Sequence, residues 1–392
     1  MRRRPGPLAR RPLACLLIAW LPVISGCAIP AVADPAAAGG VELLDDRILR
    51  RDDGPRGIPM GGLSEIAADD QGGYLLISDD RGEYGPPRYL RMQIGFDLTA
   101  RRFRIGARDW ERLITGHAPG IRPPPLVDGE ALRVVPGSGD LIWSSEGDIW
   151  NGVPAEIYVS DPHGRLLRSL HLPDYFRPDK PIGWSGRGMR PNKAVEALDV
   201  TADGRQVVAM PEDVLMQELK DEDVRTGVPV RVLRFDLSSG LPVAAHVYRL
   251  DPFPDPDLDP TPPPVNANGA SAMLLLDDGR YLVLERGFDR DNGVRIRLYL
   301  ADPATADDVL DLPDLGGQRY RSAAKYLVGD LLGAGLRADN WEGMAFGPDL
   351  PDGRKTLVLA TDDNFNQLFQ STIIAWIALP PLDEVRARRP AQ

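Results

Sequence analysis

Cysteine is nearly missing from this chain of 392 residues, with only Cys15 and Cys27, and histidine is almost as rare, with His117, His163, His171 and His246. Two thiols confined to the extreme start exclude a disulfide framework and a cysteine-dependent phosphatase for the body of the chain. The four histidines are scattered and no Arg-His-Gly text occurs, so histidine acid phosphatase chemistry has no basis here, and zinc lacks its usual nitrogen and sulfur ligands. Ser64 and Ser271 do not sit in a nucleophile elbow, which leaves a Ser-His-Asp esterase without its key turn. Long apolar runs are lacking too: beyond residue 26 there is no stretch of 18 apolar residues to span a membrane. Positive charge is in deficit. The formal net charge is −11, which argues against nucleic acid and anionic membrane surfaces as partners.

The extreme start is basic. The first 26 residues hold five arginines and no acid, then an apolar core over residues 13–24, then Ile24-Ser25-Gly26-Cys27. This order reads as a secretory leader cut before a lipid-accepting cysteine, the alternative being an ordinary signal peptide with an incidental Cys. Position 28 is Ala and not Asp, so the inner-membrane retention signal of enteric bacteria is absent. The expected organisation is a lipoprotein signal peptide over 1–26, lipid on Cys27, a small-residue tether over 27–40, one domain over 41–380 and a tail over 381–392. The expected address is periplasmic, on an outer-membrane lipid anchor that is the sole membrane contact, with the chain a monomer.

The body of the chain repeats itself. Gly62-Leu63-Ser64-Glu65-Ile66, Asp128-Gly129-Glu130-Ala131-Leu132, Ala194-Val195-Glu196-Ala197-Leu198 and Asn340-Trp341-Glu342-Gly343-Met344 share one frame, and Asn268-Gly269-Ala270-Ser271-Ala272-Met273 keeps it with Ala272 at the acidic position. The spacings run from 65 to 76 residues. Each mark is followed by an apolar run, a glycine turn such as Asp203-Gly204 or Asp352-Gly353, and a second apolar run ending on charge. Further strand-like text follows each hairpin. Three or four strands per repeat predict an all-β propeller of five or six blades, the sixth hidden in divergent text around residues 85–125, with helical loop insertions at residues 214–223 and 322–332.

A propeller brings equivalent inner-strand starts together at one mouth of its channel. Glu65, Glu130, Glu196 and Glu342 are therefore candidate metal ligands, because carboxylates crowded a few ångströms apart require a cation or a proton. All-oxygen ligation selects Ca2+ or Mg2+, with the flexible, multi-ligand geometry favouring Ca2+. Asn266 or Asn268 would fill the gap at Ala272 if the ring does not tolerate it. A second tier of acids ends the second strands: Asp79, Asp80, Glu146, Glu212, Asp213, Glu285, Asp362 and Asp363, of which Asp79, Asp362 and Asp363 join the metal set. Arg81 and Arg286 each follow such an acid and would fork onto phosphate oxygens or pair with acids between blades. The competing reading is that every Glu accepts backbone N–H bonds from the adjacent blade and only fastens the ring.

These words resemble the phytase-like family, described as esterase-like activity of phytase. Gly61-Gly62-Leu63-Ser64-Glu65 with Ser78-Asp79-Asp80-Arg81-Gly82, Val195-Glu196-Ala197-Leu198 with Asp203-Gly204-Arg205, Leu284-Glu285-Arg286, and Trp341-Glu342-Gly343-Met344 through Asp362-Asp363-Asn364-Phe365 carry the resemblance over about residues 41–380. It implies a secreted bacterial propeller whose recurrent acids serve phosphodiester or phytate chemistry on an anionic small-molecule ester. Glu65, Glu196, Glu342, Arg81 and Arg286 are then the candidate catalytic residues. The placement also resembles that of calcium-dependent lactonase propellers, so a lactonase or other esterase stays open. So does a lipoprotein propeller that only binds an envelope partner, since fold does not imply activity.

Overall fold

The computed structural model describes residues 38–114, 127–148, 152–180, 185–219, 226–254, 267–366 and 368–387. The expected leader, Cys27 and most of the tether lie outside the described residues. Strand β1 (Glu42–Leu49) leaves its sequence neighbours to join the last sheet. The four sheets that follow take consecutive strands in simple up-and-down order. Blade 1 is β2 (Leu63–Ala68), β3 (Tyr74–Ser78), β4 (Arg88–Asp97) and β5 (Arg102–Arg112), and blade 2 is β6 (Gly129–Val134), β7 (Leu141–Ser145), β8 (Glu156–Ser160) and β9 (Leu166–Ser169). Blade 3 is β10 (Val195–Val200), β11 (Gln206–Pro211), β12 (Pro229–Asp236) and β13 (Pro242–Arg249), and blade 4 is β14 (Asn268–Leu275), β15 (Tyr281–Asp289), β16 (Gly293–Asp302) and β17 (Ala324–Asp330). Blade 5 is β18 (Trp341–Phe346), β19 (Thr356–Thr361) and β20 (Thr372–Ala378), completed by β1 on its outer edge.

The inner strands β2, β6, β10, β14 and β18 pack side by side in a closed ring, β18 returning against β2. This is a five-bladed β-propeller. The divergent text after residue 85 supplies β4 and β5, the outer strands of blade 1, and among the described residues no sixth blade. Of the two expected helical insertions, the first yields the short α1 (Met216–Leu219) among the described residues, with 220–223 lying outside them. The second is corrected: residues 324–330 form a strand, β17, because they hydrogen-bond along β16 and bury Lys325 against Asp251 and Glu285 at 2.6 Å each. A second short helix, α2 (Leu382–Arg386), buries Val385 against blade 4.

The core is divided into five clusters, one between each pair of neighbouring blades. Leu76 and Leu90 of blade 1 meet Ile374 and Trp376 of blade 5, Ile77 meets Leu132 and Trp143, Ile142 meets Leu198, Val208 meets Met273 and Leu284 meets Met344. Strands buried on both faces read as continuous apolar runs, as in Thr372–Ala378, which is buried throughout. Each fully buried Leu or Ile contributes roughly 1.5–3 kcal/mol.

One side chain crosses the axis. Arg133 of β6 is 5% exposed and donates to the carbonyls of Leu132 at 2.7 Å, Met273 at 2.9 Å, Met344 at 3.1 Å and Ile66 at 3.4 Å. It also pairs with Glu65 at 2.9 Å and Asp199 at 3.3 Å. Those partners come from all five blades. Replacing Arg133 with Ala leaves two carboxylates unpaired and four carbonyls short of a donor, a change expected to remove about 3–5 kcal/mol of stability. Urea unfolding of the variant measures it, with Arg133→Lys recovering only part because a point charge does not reproduce the planar fork.

Candidate active site at the channel mouth

Every inner strand carries a β-bulge at the same level. Pairing skips one residue between Leu63 and Glu65, between Val195 and Ala197, between Ala270 and Ala272, and between Trp341 and Gly343, with the same irregularity between Gly129 and Leu132. The extra residues are Ser64, Glu130, Glu196, Ser271 and Glu342. A bulge re-aims its unpaired side chain, and here it does so once per blade toward one mouth. The pairing moves two assignments of the sequence frame by one residue. Glu65 is level with Ala197, Ala272 and Gly343, so Ser64 and Ser271 hold the positions that Glu130, Glu196 and Glu342 hold in the other blades. A one-residue slip turns a strand side chain to the opposite face.

Glu65 accordingly serves the ring seam. It is fully buried, accepts N–H bonds from Met344 of blade 5 at 2.7 Å and Ile66 at 2.9 Å, and pairs with Arg133. Burial pushes its carboxyl up to about 8, against the pull of Arg133 and these two amides.

The second tier shifts in blade 4 in the same way. Leu63, Gly129, Val195, Ala270 and Trp341 face Ser78, Ser145, Pro211, Glu285 and Thr361, so the next residues, Asp79, Glu146, Glu212, Arg286 and Asp362, are equivalent. Blade 4 thus presents a cation where the others present an acid. Arg286 reaches Glu342 of blade 5 at 3.0 Å and Glu212 of blade 3 at 3.5 Å. Glu285 lies elsewhere, accepting from Tyr248 at 2.6 Å, Lys325 at 2.6 Å and Asn268 at 2.5 Å. Two further acids are occupied by turns: Asp80 accepts from Gly82, Glu83 and Tyr84 and pairs with Arg88 at 2.5 Å, while Asp213 pairs with Arg190 and caps Val214. Asp363 binds the N–H groups of Gly62 and Phe365.

What remains at the mouth is Asp79, Glu130, Glu146, Glu196, Glu212, Glu342 and Asp362, joined by Asp128, which the sequence frame passed over. Carboxylate oxygens of Asp128, Glu130 and Glu146 lie within 4.8 Å of one another. Glu146 also accepts the Ala194 N–H of the next blade at 2.5 Å, and Arg81 pairs with Asp128 while donating to Asn192 at 2.8 Å. Lys193, likewise unforeseen, pairs with Glu212 at 2.5 Å. Buried Oδ1 of Asp79 and Oε2 of Glu196 have no hydrogen-bond partner among the described residues.

The electrostatics follow from this surplus of acid. Burial first, then Asp128 and Glu342, pushes Asp79 up to about 8; burial and Asp128 push Glu146 up to about 8. Glu342 rises to about 7 by burial, restrained by Arg286. Burial and neighbouring acids hold Glu130, Glu196 and Asp362 well above the carboxylate range. Burial also raises Glu212, but Lys193 and Arg286 outweigh it and leave this carboxyl below its ordinary value.

Residues 58–365 match the profile of the phytase-like family, described as esterase-like activity of phytase. The chain belongs to the phytase-like family. The matched segment runs from the approach to β2 through the whole acidic mouth to Phe365. Among curated proteins none matches this phytase-like chain in sequence. Solved structures resemble it distantly. The catalytic domain of a Coprinopsis cinerea GH62 alpha-L-arabinofuranosidase shares 11% identity over 85% of this chain and 94% of its own, with a TM-score of 0.41. Hydrazine synthase of Kuenenia stuttgartiensis shares 12% over 82% and 69%, with a TM-score of 0.36. A mannose phosphorylase of Leishmania mexicana, MPT-4, shares 9% over 90% and 92%, with a TM-score of 0.39.

The raised carboxyls of the phytase-like mouth fix the sign of its pH dependence. A native carboxyl titrating at about 7 to 8 keeps a proton that the unfolded chain has already released, so stability falls as pH rises through that range. His246 acts in the opposite sense on the acid side: burial, then Arg234, lowers its imidazole from 6.5 to about 4, so its own contribution falls below 6.5 and there partly offsets that of the carboxyls. In chelator the thermal midpoint is therefore expected to decline from about pH 6.5 toward pH 8. A Glu130→Gln, Glu196→Gln variant should flatten that decline; a buffer series by scanning calorimetry checks it.

Proposed function

We propose that the chain is an exported, divalent-metal-dependent hydrolase of anionic esters, phosphoesters foremost, with its site at the acidic mouth. The observation that carries this reading is the cluster of Asp128, Glu130 and Glu146 within 4.8 Å, beside a Glu196 oxygen that is buried without a partner. The donor set fits a hard cation: oxygen ligands throughout, no imidazole or thiolate, and more carboxylates than Arg81, Lys193 and Arg286 neutralise. Asp128, Glu130 and Glu146 would hold Ca2+, or Mg2+, with Asp79, Glu196 and Asp362 around them. When bound, such an ion neutralises substrate charge and lowers the pKa of a bound water.

The chain's own residues supply the rest. Glu342, poised at about 7, suits a general base working near neutral pH. Arg286 holds that carboxylate in place, and Arg81, 48% exposed and paired with Asp128, would turn its fork toward a phosphate oxygen once an ion takes Asp128. Glu65 takes no chemical part, since its partners belong to the blade seam. The family description supports an ester-cleaving activity, and a lactone or carboxylic ester would use the same groups. Export on a lipidated Cys27, a monomeric state and the absence of a nucleic-acid partner complete the proposal.

Calcium added to chelated protein should raise the thermal midpoint, by the equivalent of about 2.7 kcal/mol at a hundredfold excess over Kd. Glu130→Gln with Glu146→Gln should abolish that rise, whereas Glu65→Gln should lower the starting midpoint and keep the rise. Insensitivity of the unmodified chain to both calcium and magnesium would overturn the metal site and favour a binding platform with acids as fasteners. Hydrolysis of phosphoesters and lactones, with calcium and with chelator, then reads the activity.

A further inference from the structure

The loop after β19 brings apolar surface to the edge of the acidic mouth. Asn364 and Phe365 both adopt left-handed backbone, with φ of 45° and 50°, a conformation that bulky residues keep only where the surroundings impose it. Here two mouth acids impose it. Asp362 Oδ1 accepts the Asn364 N–H at 2.8 Å, and Asp363 Oδ1 accepts those of Phe365 at 3.1 Å and Gly62 at 2.9 Å. The turn lays the Phe365 ring against Gly62. A Cβ on Gly62 would fall 2.4 Å from the ring edge and 2.1 Å from Asp79 Oδ1, so the ring and that unpartnered carboxylate oxygen are neighbours across one glycine.

Phe365 does not stand alone. The ring of Tyr84 lies 4.5 Å from it, centre to centre, and the Tyr84 backbone N–H is anchored by Asp80 at 3.1 Å. Further along the same loop Leu368 is 88% exposed and Phe369 50% exposed. A polyanion held at an ion on Asp128, Glu130 and Glu146 would place its further charges beside the remaining acids, and it would have no use for the aromatic wall. A substrate with one anionic centre and an aromatic or apolar arm satisfies both.

We infer that Phe365, backed by Tyr84, is the specificity wall of the site, and that the substrate class is an ester or phosphodiester of an aromatic or apolar alcohol, not an inositol polyphosphate. This rests on the hydrolase reading of the mouth. The wall receives the arm that stays behind, so its effect is separable from that of the leaving group.

Two substrates with the same leaving group test it: bis(p-nitrophenyl) phosphate and methyl p-nitrophenyl phosphate, assayed with calcium. The aryl diester is expected to have the higher kcat/KM by about tenfold, the scale of one aromatic contact plus its buried area. Phe365→Ala should bring that ratio down to the intrinsic ratio of the two esters, read from their hydroxide hydrolysis, and Phe365→Leu, which keeps apolar bulk without the ring, should leave an intermediate ratio. Calorimetric titration with phenylphosphonate and methylphosphonate, neither of which is hydrolysed, gives a second reading in the same variants. Equal handling of the two arms by the unmodified chain in both measurements, or an unchanged ratio in Phe365→Ala that still folds, overturns the wall. Preferential binding of phenylphosphonate that Phe365→Ala removes, with neither diester cleaved, upholds the wall and overturns the hydrolase reading.

Discussion

One guanidinium holds the propeller at its centre. A ring of five sheets has no hydrophobic middle, because the inner strands turn backbone carbonyls and alternate side chains toward the axis. Arg133 answers that constraint with a planar array of donors directed at carbonyls of blades 1, 2, 4 and 5 and at the carboxylates of Glu65 and Asp199 in blades 1 and 3. One side chain thus contacts all five blades. Arg133 floors the acidic mouth and, with Asp199, lines a cavity of about 360 Å³ at the opposite ends of the inner strands.

That floor lets the mouth hold its charge. The acids above it are separated from solvent on one side by Arg133 and its partners and on the others by blade edges, which is why burial is the first cause of nearly every shift there. Blade 4 breaks the symmetry that would otherwise give an all-acid ring. Its bulge residue is Ser271, which donates to the Trp341 carbonyl at 3.1 Å, and its second-tier residue is Arg286. One blade of five thus supplies fastening and counter-charge while blade 2, with Asp128, Glu130 and Glu146, concentrates the oxygens. A divergent repeat is what turns a symmetrical scaffold into a site with a direction.

Much of this was legible in the letters because each blade begins with the same short text and the hairpin glycines mark where the second strand returns. Strand pairing itself is not written in that text. Aligning on the glutamates placed Glu65 beside Glu130, Glu196 and Glu342, although the bulge falls one residue earlier, at Ser64; the matching serine at 271 was the available signal. Glu285 was paired with the second-tier acids for the same reason, and Arg286 took their place once the register was known. Residues 324–330 read as helical because their burial depends on Asp251 and Glu285, which are far away in sequence. Arg133 carries no local mark at all, since its partners exist only after five blades have closed. Phe365 was visible as part of a motif, yet its proximity to Asp79 depends on the absence of a side chain at Gly62.

Blade 5 joins the two ends of the described chain: Glu42 of β1 lies opposite Ala378 of β20, and the Glu65 carboxylate sits on the Met344 amide at the same seam. The first of these contacts spans more than three hundred residues, as the 42-to-378 register shows, and the second spans 279. Folding must therefore bring distant segments together before the last interface rewards them, which makes ring closure a slow, late event dominated by chain entropy. Until then the inner faces of blades 1 and 5 are bare apolar surfaces with unpaired strand edges, open to pairing with another copy. The same seam that completes the molecule thus sets the interval during which a newly made chain is most exposed to aggregation.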